Sequence, residues 1–423
     1  MRKHSKFISC FFIITIFIFL FGYVYEYKVD KTERNILNNE LKGLQEEGYQ
    51  VGKYTWIDFS KEYPFAAKTS SKTKDSSFIN KLSTSLNKII NKIDDLSNDL
   101  ILGKDQWIYL YGKIQRILGD NIIFQETIVY KNENDYLTYI NDPIDTSKNA
   151  ANLNDLHDYV VKDGTTFMYV QLPYKLEDDE LNGIDYSNDN ASSLLEKLAF
   201  EEVLDLRDTF VPRTSYFYKT DHHFNAQAGL LTARSILEAL EVESAIDNLN
   251  EDKFISKVYE DSFLGSQGKK MGRGYSEVED FEILYPSYAT SFQVLIPDQS
   301  IEVEDSFEKA LFNIYPLVYR KDFYGSTNIY ATFMYGNPAL ARIKNTKVQN
   351  DTKLLLIHDS FSAVVAPYMA LGVSELDAID LRYFNGSLEN FIQQNDYDAI
   401  VVAYNPSAIV EASDATNNFF YFK

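Results

Sequence analysis

The chain has 423 residues, 45% of them hydrophobic, enough apolar material for one large or two ordinary globular domains and too much for a disordered or fibrous chain. Its formal charge of -21 repels phosphate backbones, so nucleic acid is not an expected partner. The single cysteine, Cys10, lies in an N-terminal apolar run, which excludes disulfide and thiol chemistry from the rest of the chain.

Arg2, Lys3 and Lys6 precede an uncharged, almost wholly apolar run over residues 7–25. As a helix this run reaches about 28 Å, roughly one hydrocarbon core. The basic residues come first and Glu26 follows, so the pattern predicts a signal-anchor with a short cytoplasmic tail and the bulk of the chain outside. A cleaved signal peptide is the rival. The run is long for one, and Tyr23, Tyr25 and Tyr27 stand where a peptidase requires small residues. Disulfide-free export of so large a domain points to a bacterial envelope.

Residues 26–77 are polar and charged and read as a stalk or linker. Over 78–100, Leu82, Leu86, Ile89, Ile90, Ile93 and Leu96 recur at helical spacing and give one apolar stripe. Beyond Gly103, strands are expected at 166–172, 353–358, 376–380 and 399–403, and helices at 152–162, 191–200, 226–240 and 388–394. That alternation predicts an α/β domain with a mainly parallel sheet, counted here as 78–423. Residues 241–350 are irregular and aromatic-rich, and read as an insertion or a cap over the sheet edge.

The apolar run Lys353-Leu354-Leu355-Leu356-Ile357-His358 is a buried-strand pattern that stops at Asp359-Ser360-Phe361-Ser362, with helical residues from Ala363 to Ala370 behind it. Ligands of open α/β sheets sit outside the carboxyl ends of the strands, where Ser360 falls as a candidate nucleophile. The amides of the following helix then favour an oxyanion. The plainer alternative is that Ser360 only caps that helix.

A second segment, Thr220-Asp221-His222-His223-Phe224, holds two of the five histidines. In an extended backbone residues i and i+2 face the same way, so Asp221 and His223 point together and His222 points away. A carboxylate beside an imidazole fixes its tautomer and stabilises its protonated form, as a general base for serine requires. His358 is a competing base, and simple hydrogen bonding in a turn is the structural alternative for both adjacent histidines. Asp-His-His is also a metal-ligand pattern, but two-metal phosphoesterases with that triplet need further aspartate motifs that cannot be assembled from this chain. No metal or cofactor is expected.

The segment 220–224 resembles the signature of the bacterial DHHW protein family, related to the alginate O-acetyltransferases AlgJ and AlgX of the SGNH-hydrolase superfamily. The likeness runs from about Gly103 to the end of the chain. Gly103-Lys104-Asp105-Gln106-Trp107-Ile108-Tyr109 is similar to the family's opening, and Gln171-Leu172-Pro173-Tyr174-Lys175 follows the first strand. Tyr335-Gly336-Asn337-Pro338 precedes the Asp359-Ser360-Phe361 motif, and Ile379-Asp380-Leu381-Arg382-Tyr383-Phe384 follows it. The order of these pieces makes the likeness specific. Phe224 stands where the family has tryptophan, and Gln106 where it has glycine.

The resemblance implies a three-layer, flavodoxin-like SGNH fold in which Ser360 is the nucleophile and Asp221 and His223 form the relay. Asn337 and Arg382 become candidate oxyanion or substrate contacts, each with a bland alternative: a turn residue for Asn337, an ion pair for Arg382. The implied activity is acetyl transfer to a surface polysaccharide through an acyl-serine, with a membrane-bound O-acyltransferase (MBOAT) as donor partner. Removal of acetyl groups by an esterase with the same triad is the first alternative. The second is a non-catalytic protein that binds glycan or a partner. Catalysis requires the Ser360 hydroxyl and the His223 ring within about 4 Å.

Overall fold

The computed structural model describes residues 104–119, 121–124, 128–162, 164–177, 183–242, 246–318, 328–411 and 419–422. The expected signal-anchor, stalk and 78–100 helix lie outside the described residues. Among the described residues, no helix is long and apolar enough to cross a membrane.

The strands in chain order are β1 (Ile122–Phe124), β2 (Ile128–Lys131), β3 (Leu137–Tyr139), β4 (Thr166–Gln171), β5 (Val203–Asp205), β6 (Phe254–Phe263), β7 (Glu279–Pro286), β8 (Phe292–Ile296), β9 (Ile301–Asp305), β10 (Leu340–Asn345), β11 (Lys353–His358), β12 (Glu375–Ile379) and β13 (Ala399–Tyr404). An eight-stranded sheet runs in the order β5-β4-β13-β11-β12-β10-β8-β9. Its first five strands are parallel, and β10, β8 and β9 extend it in antiparallel fashion. Two smaller antiparallel units, β1-β2-β3 and the ribbon β6-β7, complete the strands among the described residues.

Apolar residues fill the central strands on both faces, as a parallel sheet covered by helices requires. Leu354 and Leu356 of β11 enter one core with Val401 and Ala403 of β13, beneath the helices Ala226–Ala239 and Val365–Met369. Leu355 and Ile357 enter the other with Ile400 and Val402, beneath the helices Ser147–Val161, Ser187–Leu195 and Leu388–Gln393. The result is a three-layer α/β arrangement. Four of its strands lie at 166–171, 353–358, 375–379 and 399–404, within two residues of the expected ones.

The stretch 241–350 differs from its expectation. It supplies β8, β9 and β10 to the main sheet rather than sitting wholly over its edge. Phe292, Val294 and Ile296 are buried while Gln293 and Leu295 are exposed, the period of a strand covered on one face only.

All five parallel strands run the same way, so their carboxyl ends share one edge of the sheet. The residues that follow β4, β11, β12 and β13 therefore converge there, including Lys175, Ser360, Arg382 and Asn405.

Candidate active site

After His358 the chain turns at Asp359 into a single 3-10 turn, Ser360–Ala363. Asp359, not Ser360, is the cap: its Oδ1 accepts from the Phe361 amide at 2.9 Å. Its Oδ2 accepts from the Asn405 amide at 2.7 Å, tying the turn to the end of β13. Burial pushes the Asp359 carboxyl up to about 6, against the Asn405 and Phe361 amides and the nearby Arg382 charge, which favour ionisation. Ser360 is half-buried, whereas Phe361, Ser362 and Ala363 of the same turn are buried.

Residues 216–225 fold back on themselves through a bridge between Phe217 and Phe224, and the Tyr218 amide donates to the His223 carbonyl at 3.3 Å. Asn225 then caps the helix Ala226–Ala239 through the Ala228 amide. That helix lies against the segment behind Ser360 because Gly229 has no side chain: a Cβ there would fall 2.7 Å from Val364 Cγ2 and 2.8 Å from the Val364 carbonyl oxygen. The close approach brings the two motif segments together.

His223 Nε2 lies 2.8 Å from Ser360 Oγ, and His223 Nδ1 lies 2.5 Å from Asp221 Oδ1. An ionised carboxylate only accepts, so Nδ1 carries the proton and the Nε2 lone pair faces the serine hydroxyl. The Asp221 carboxylate also accepts the His223 amide at 3.1 Å and the Ser266 amide at 2.6 Å. Burial opposes its ionisation. The His223 and His222 rings and the donated bonds outweigh that and hold the carboxyl far below the usual carboxylate range. Gly265 makes room for it, since a Cβ there would lie 2.6 Å from Asp221 Oδ2. The structure thus brings Asp221, His223 and Ser360 into one hydrogen-bonded chain.

The loop is bent rather than extended, and His222 does not point away from Asp221. Its Nδ1 is 3.5 Å from Asp221 Oδ1 and 3.3 Å from Ser266 Oγ, and its ring lies 3.9 Å from that of His223. Burial first, and the neighbouring His223 second, push the His222 imidazole down to about 3 against the pull of Asp221. It is a neutral packing partner, and the ring nitrogen that meets Ser360 Oγ is that of His223. His358 is spent elsewhere, with Nδ1 2.7 Å from the Asp359 carbonyl oxygen.

Among the described residues, Asp221, His222 and His223 offer metal-ligand atoms within 4.8 Å of one another. Asp221 Oδ1 and His223 Nδ1 already bind each other in the chain to Ser360.

Arg382 is bound to Asp380, with Nε 3.0 Å from Oδ1 and Nη2 2.6 Å from Oδ2, and its guanidinium also lies 5.0 Å from the Phe419 ring centroid. This is the ion-pair alternative weighed for Arg382. Asn337 is half-buried just after three successive left-handed residues, Met334, Tyr335 and Gly336. Phe224 is fully buried and meets Phe361 edge to face at 5.1 Å, so it supports the floor beneath the serine turn.

Three contacts were not anticipated from sequence. The Tyr330 ring stacks on His223 at 4.1 Å with an interplanar angle of 13°. Lys175 and Glu279 bind the backbone of the Asp221 loop. Lys175 ends the segment Gln171-Leu172-Pro173-Tyr174-Lys175, whereas Tyr330 and Glu279 come from the irregular stretch, where nothing in the pattern marks them.

This fold has solved counterparts. A DHHW family protein from Eubacterium siraeum superposes with a TM-score of 0.55 at 18% identity, over 71% of this chain and 98% of that one. The chain has the fold of that DHHW protein. Bacillus cereus PatB1 matches similarly, with a TM-score of 0.54 at 17% identity over 70% of this chain and 100% of that one. The O-acetyltransferase domain of Pseudomonas putida AlgJ is a more distant match, with a TM-score of 0.39 at 12% identity over 68% of this chain and 93% of that one, and at that distance the likeness carries no argument about chemistry. No family model matches the sequence, and no curated protein does.

Proposed function

We propose that this chain is an SGNH-type serine acyltransferase with Ser360 as nucleophile, His223 as general base and Asp221 as the group that orients it. The observation that carries the proposal is the His223 Nε2 to Ser360 Oγ distance of 2.8 Å with Asp221 on the opposite ring nitrogen. His223 takes the hydroxyl proton as Ser360 Oγ attacks an ester carbonyl. The donor alcohol leaves with that proton, and an acyl-Ser360 ester remains. An acceptor hydroxyl then attacks the ester and gives its proton to His223, which passes it to the departing Ser360 Oγ and so regenerates the serine. The Ser360 amide, Asn337 and, from within its ion pair with Asp380, Arg382 are the proposed oxyanion or substrate contacts.

The substrate class rests on the motif resemblance to DHHW and alginate acetyltransferases: an acetyl group moved onto a cell-envelope or exported polysaccharide. An MBOAT partner is the proposed donor, and a single-pass anchor over residues 1–25 is the proposed means of keeping the domain beside it, outside a bacterial membrane. The partial exposure of Ser360 favours a second reading, hydrolysis of the same esters, because water reaches an open acyl-serine.

Hydrolysis of a small chromogenic acetate by the chain from residue 78 onward tests the acyl-serine chemistry shared by both readings. Loss of the rate in Ser360→Ala and His223→Ala is expected. Full rates in both variants would end the proposal. Polymer acetyl content with and without active enzyme then separates transfer, which raises it, from hydrolysis, which lowers it.

A further inference from the structure

The loop that carries Asp221 and His223 is short, bent and held mainly through its backbone. Glu279, at the start of β7, accepts from the Lys219 amide at 2.7 Å and from the Thr220 amide at 2.7 Å, and also from Thr220 Oγ1 at 2.5 Å. Lys175, just beyond β4, donates from one ammonium to the Lys219 carbonyl at 3.0 Å, the Asp221 carbonyl at 2.7 Å and the Leu137 carbonyl. Thr220 Oγ1 in turn accepts the Gly265 amide at 2.8 Å, and the Thr220 carbonyl accepts the Gly268 amide at 2.8 Å. Thus a carboxylate gathers two consecutive amides and an ammonium gathers two carbonyls, from opposite ends of the same three residues.

We infer that Lys175 and Glu279 are positioning residues, a charged clamp that fixes the Lys219-Thr220-Asp221 backbone so that the Asp221 carboxylate meets His223 Nδ1. Neither touches the reacting atoms. The physical case is one of cost. Lys175 is 4% exposed, and a lysine buried to that degree is expensive unless its charge is well bonded. A buried methionine would fill the same volume without that cost, so packing alone does not call for an ammonium here. Amides at consecutive residues face opposite sides of an extended strand, so one ladder partner cannot take both the Lys219 and Thr220 amides, while the Lys219 carbonyl shares Lys175 with the Leu137 amide at 2.7 Å. Charged side chains that reach in from β4 and β7 supply those bonds instead, and charge-assisted bonds are the strong ones. A shift of about 1 Å in Asp221 would break the 2.5 Å contact that sets the tautomer of His223.

The inference rests on the proposed acyl-serine chemistry, so its test includes a readout independent of activity. Lys175→Met and Thr220→Val remove bonds of the clamp, and Thr220→Ser retains the hydroxyl. The probes are chromogenic acetate turnover and the downfield proton NMR resonance of a His223 Nδ1–H bound to Asp221. The expected result is a fall in kcat of tenfold or more in Lys175→Met and Thr220→Val, with KM within about twofold, and loss or broadening of that resonance. Thr220→Ser keeps both, which separates positioning from general destabilisation.

Should Lys175→Met fail to fold, Glu279→Gln decides the matter, because it is isosteric and removes only the charge that gathers the Lys219 and Thr220 amides, with the same loss of kcat and resonance expected. Folded variants that keep the resonance and the wild-type kcat would overturn the clamp. If the wild-type chain shows the resonance but no turnover, the acyl-transfer reading fails, and the resonance in the variants still judges the clamp.

Discussion

Gly229 and Val364 are in contact so close that a Cβ on the glycine would lie 2.7 Å from Val364 Cγ2. This contact sets the spacing between the helix behind His223 and the turn behind Ser360. Gly229→Val is therefore expected to separate the two segments, at about 1–3 kcal/mol of stability for overpacking. Its loss of acetate hydrolysis should exceed what the stability change explains. Melting and kinetics on the same preparation check this, and a variant with the normal rate would show that the helix spacing does not position the pair.

Asp221 fixes the His223 ring through Nδ1, so Asp221→Asn should leave the fold intact and present the wrong tautomer. A fall in kcat of about 10²- to 10⁴-fold with little change in KM is expected. Steady-state kinetics at saturating chromogenic acetate decides it.

His222 sits beside the same carboxylate but is kept neutral, its imidazole pushed down to about 3 chiefly by burial. Between pH 6.5 and 3 the unfolded chain binds a proton that the folded chain does not, so His222 removes stability as pH falls through that window. His222→Gln should therefore lose less stability than wild type between pH 7 and 4, by on the order of 3 kcal/mol, and keep kcat within about tenfold. Denaturant unfolding at a series of pH values measures the difference. A large loss of kcat would make His222 part of the relay.

Asp359 gives the opposite sign. Burial raises its carboxyl to about 6. From pH 3.8 to 6 the folded chain holds a proton that the unfolded chain has released, so the stability Asp359 contributes is full at low pH and is lost as pH rises through 6. The gap between Asp359→Asn and wild type should accordingly move in favour of the variant by about 2–3 kcal/mol between pH 3.5 and 7.5. An unfolding series at fixed temperature checks it, and a gap independent of pH would contradict the assignment.

The parts of this fold legible in the sequence were those buried on both faces. Leu354–Ile357 and Ala399–Ala403 read as strands because every position is apolar, and strand lengths leave few other assignments. β8 and β9 alternate one buried and one exposed residue over only five positions each, a weak signal among so many aromatic residues. The Asp221–His223 pairing was legible from spacing and family likeness, although the loop is bent where an extended backbone was assumed. Glu279 and Tyr330 were not legible, because each acts through a contact made only by folding, 58 residues beyond Asp221 in one case and 30 before Ser360 in the other. Lys175 looked like a motif residue without a role until its carbonyl partners were known.

The central claim is that Ser360 is activated by His223. Its most direct test is reaction of the chain from residue 78 onward with a sulfonyl fluoride, followed by intact mass and peptide mapping. A single adduct on Ser360 is expected, absent in Ser360→Ala and formed at least about tenfold more slowly in His223→Ala. An adduct elsewhere, or equal labelling of Ser360 with and without His223, would contradict it.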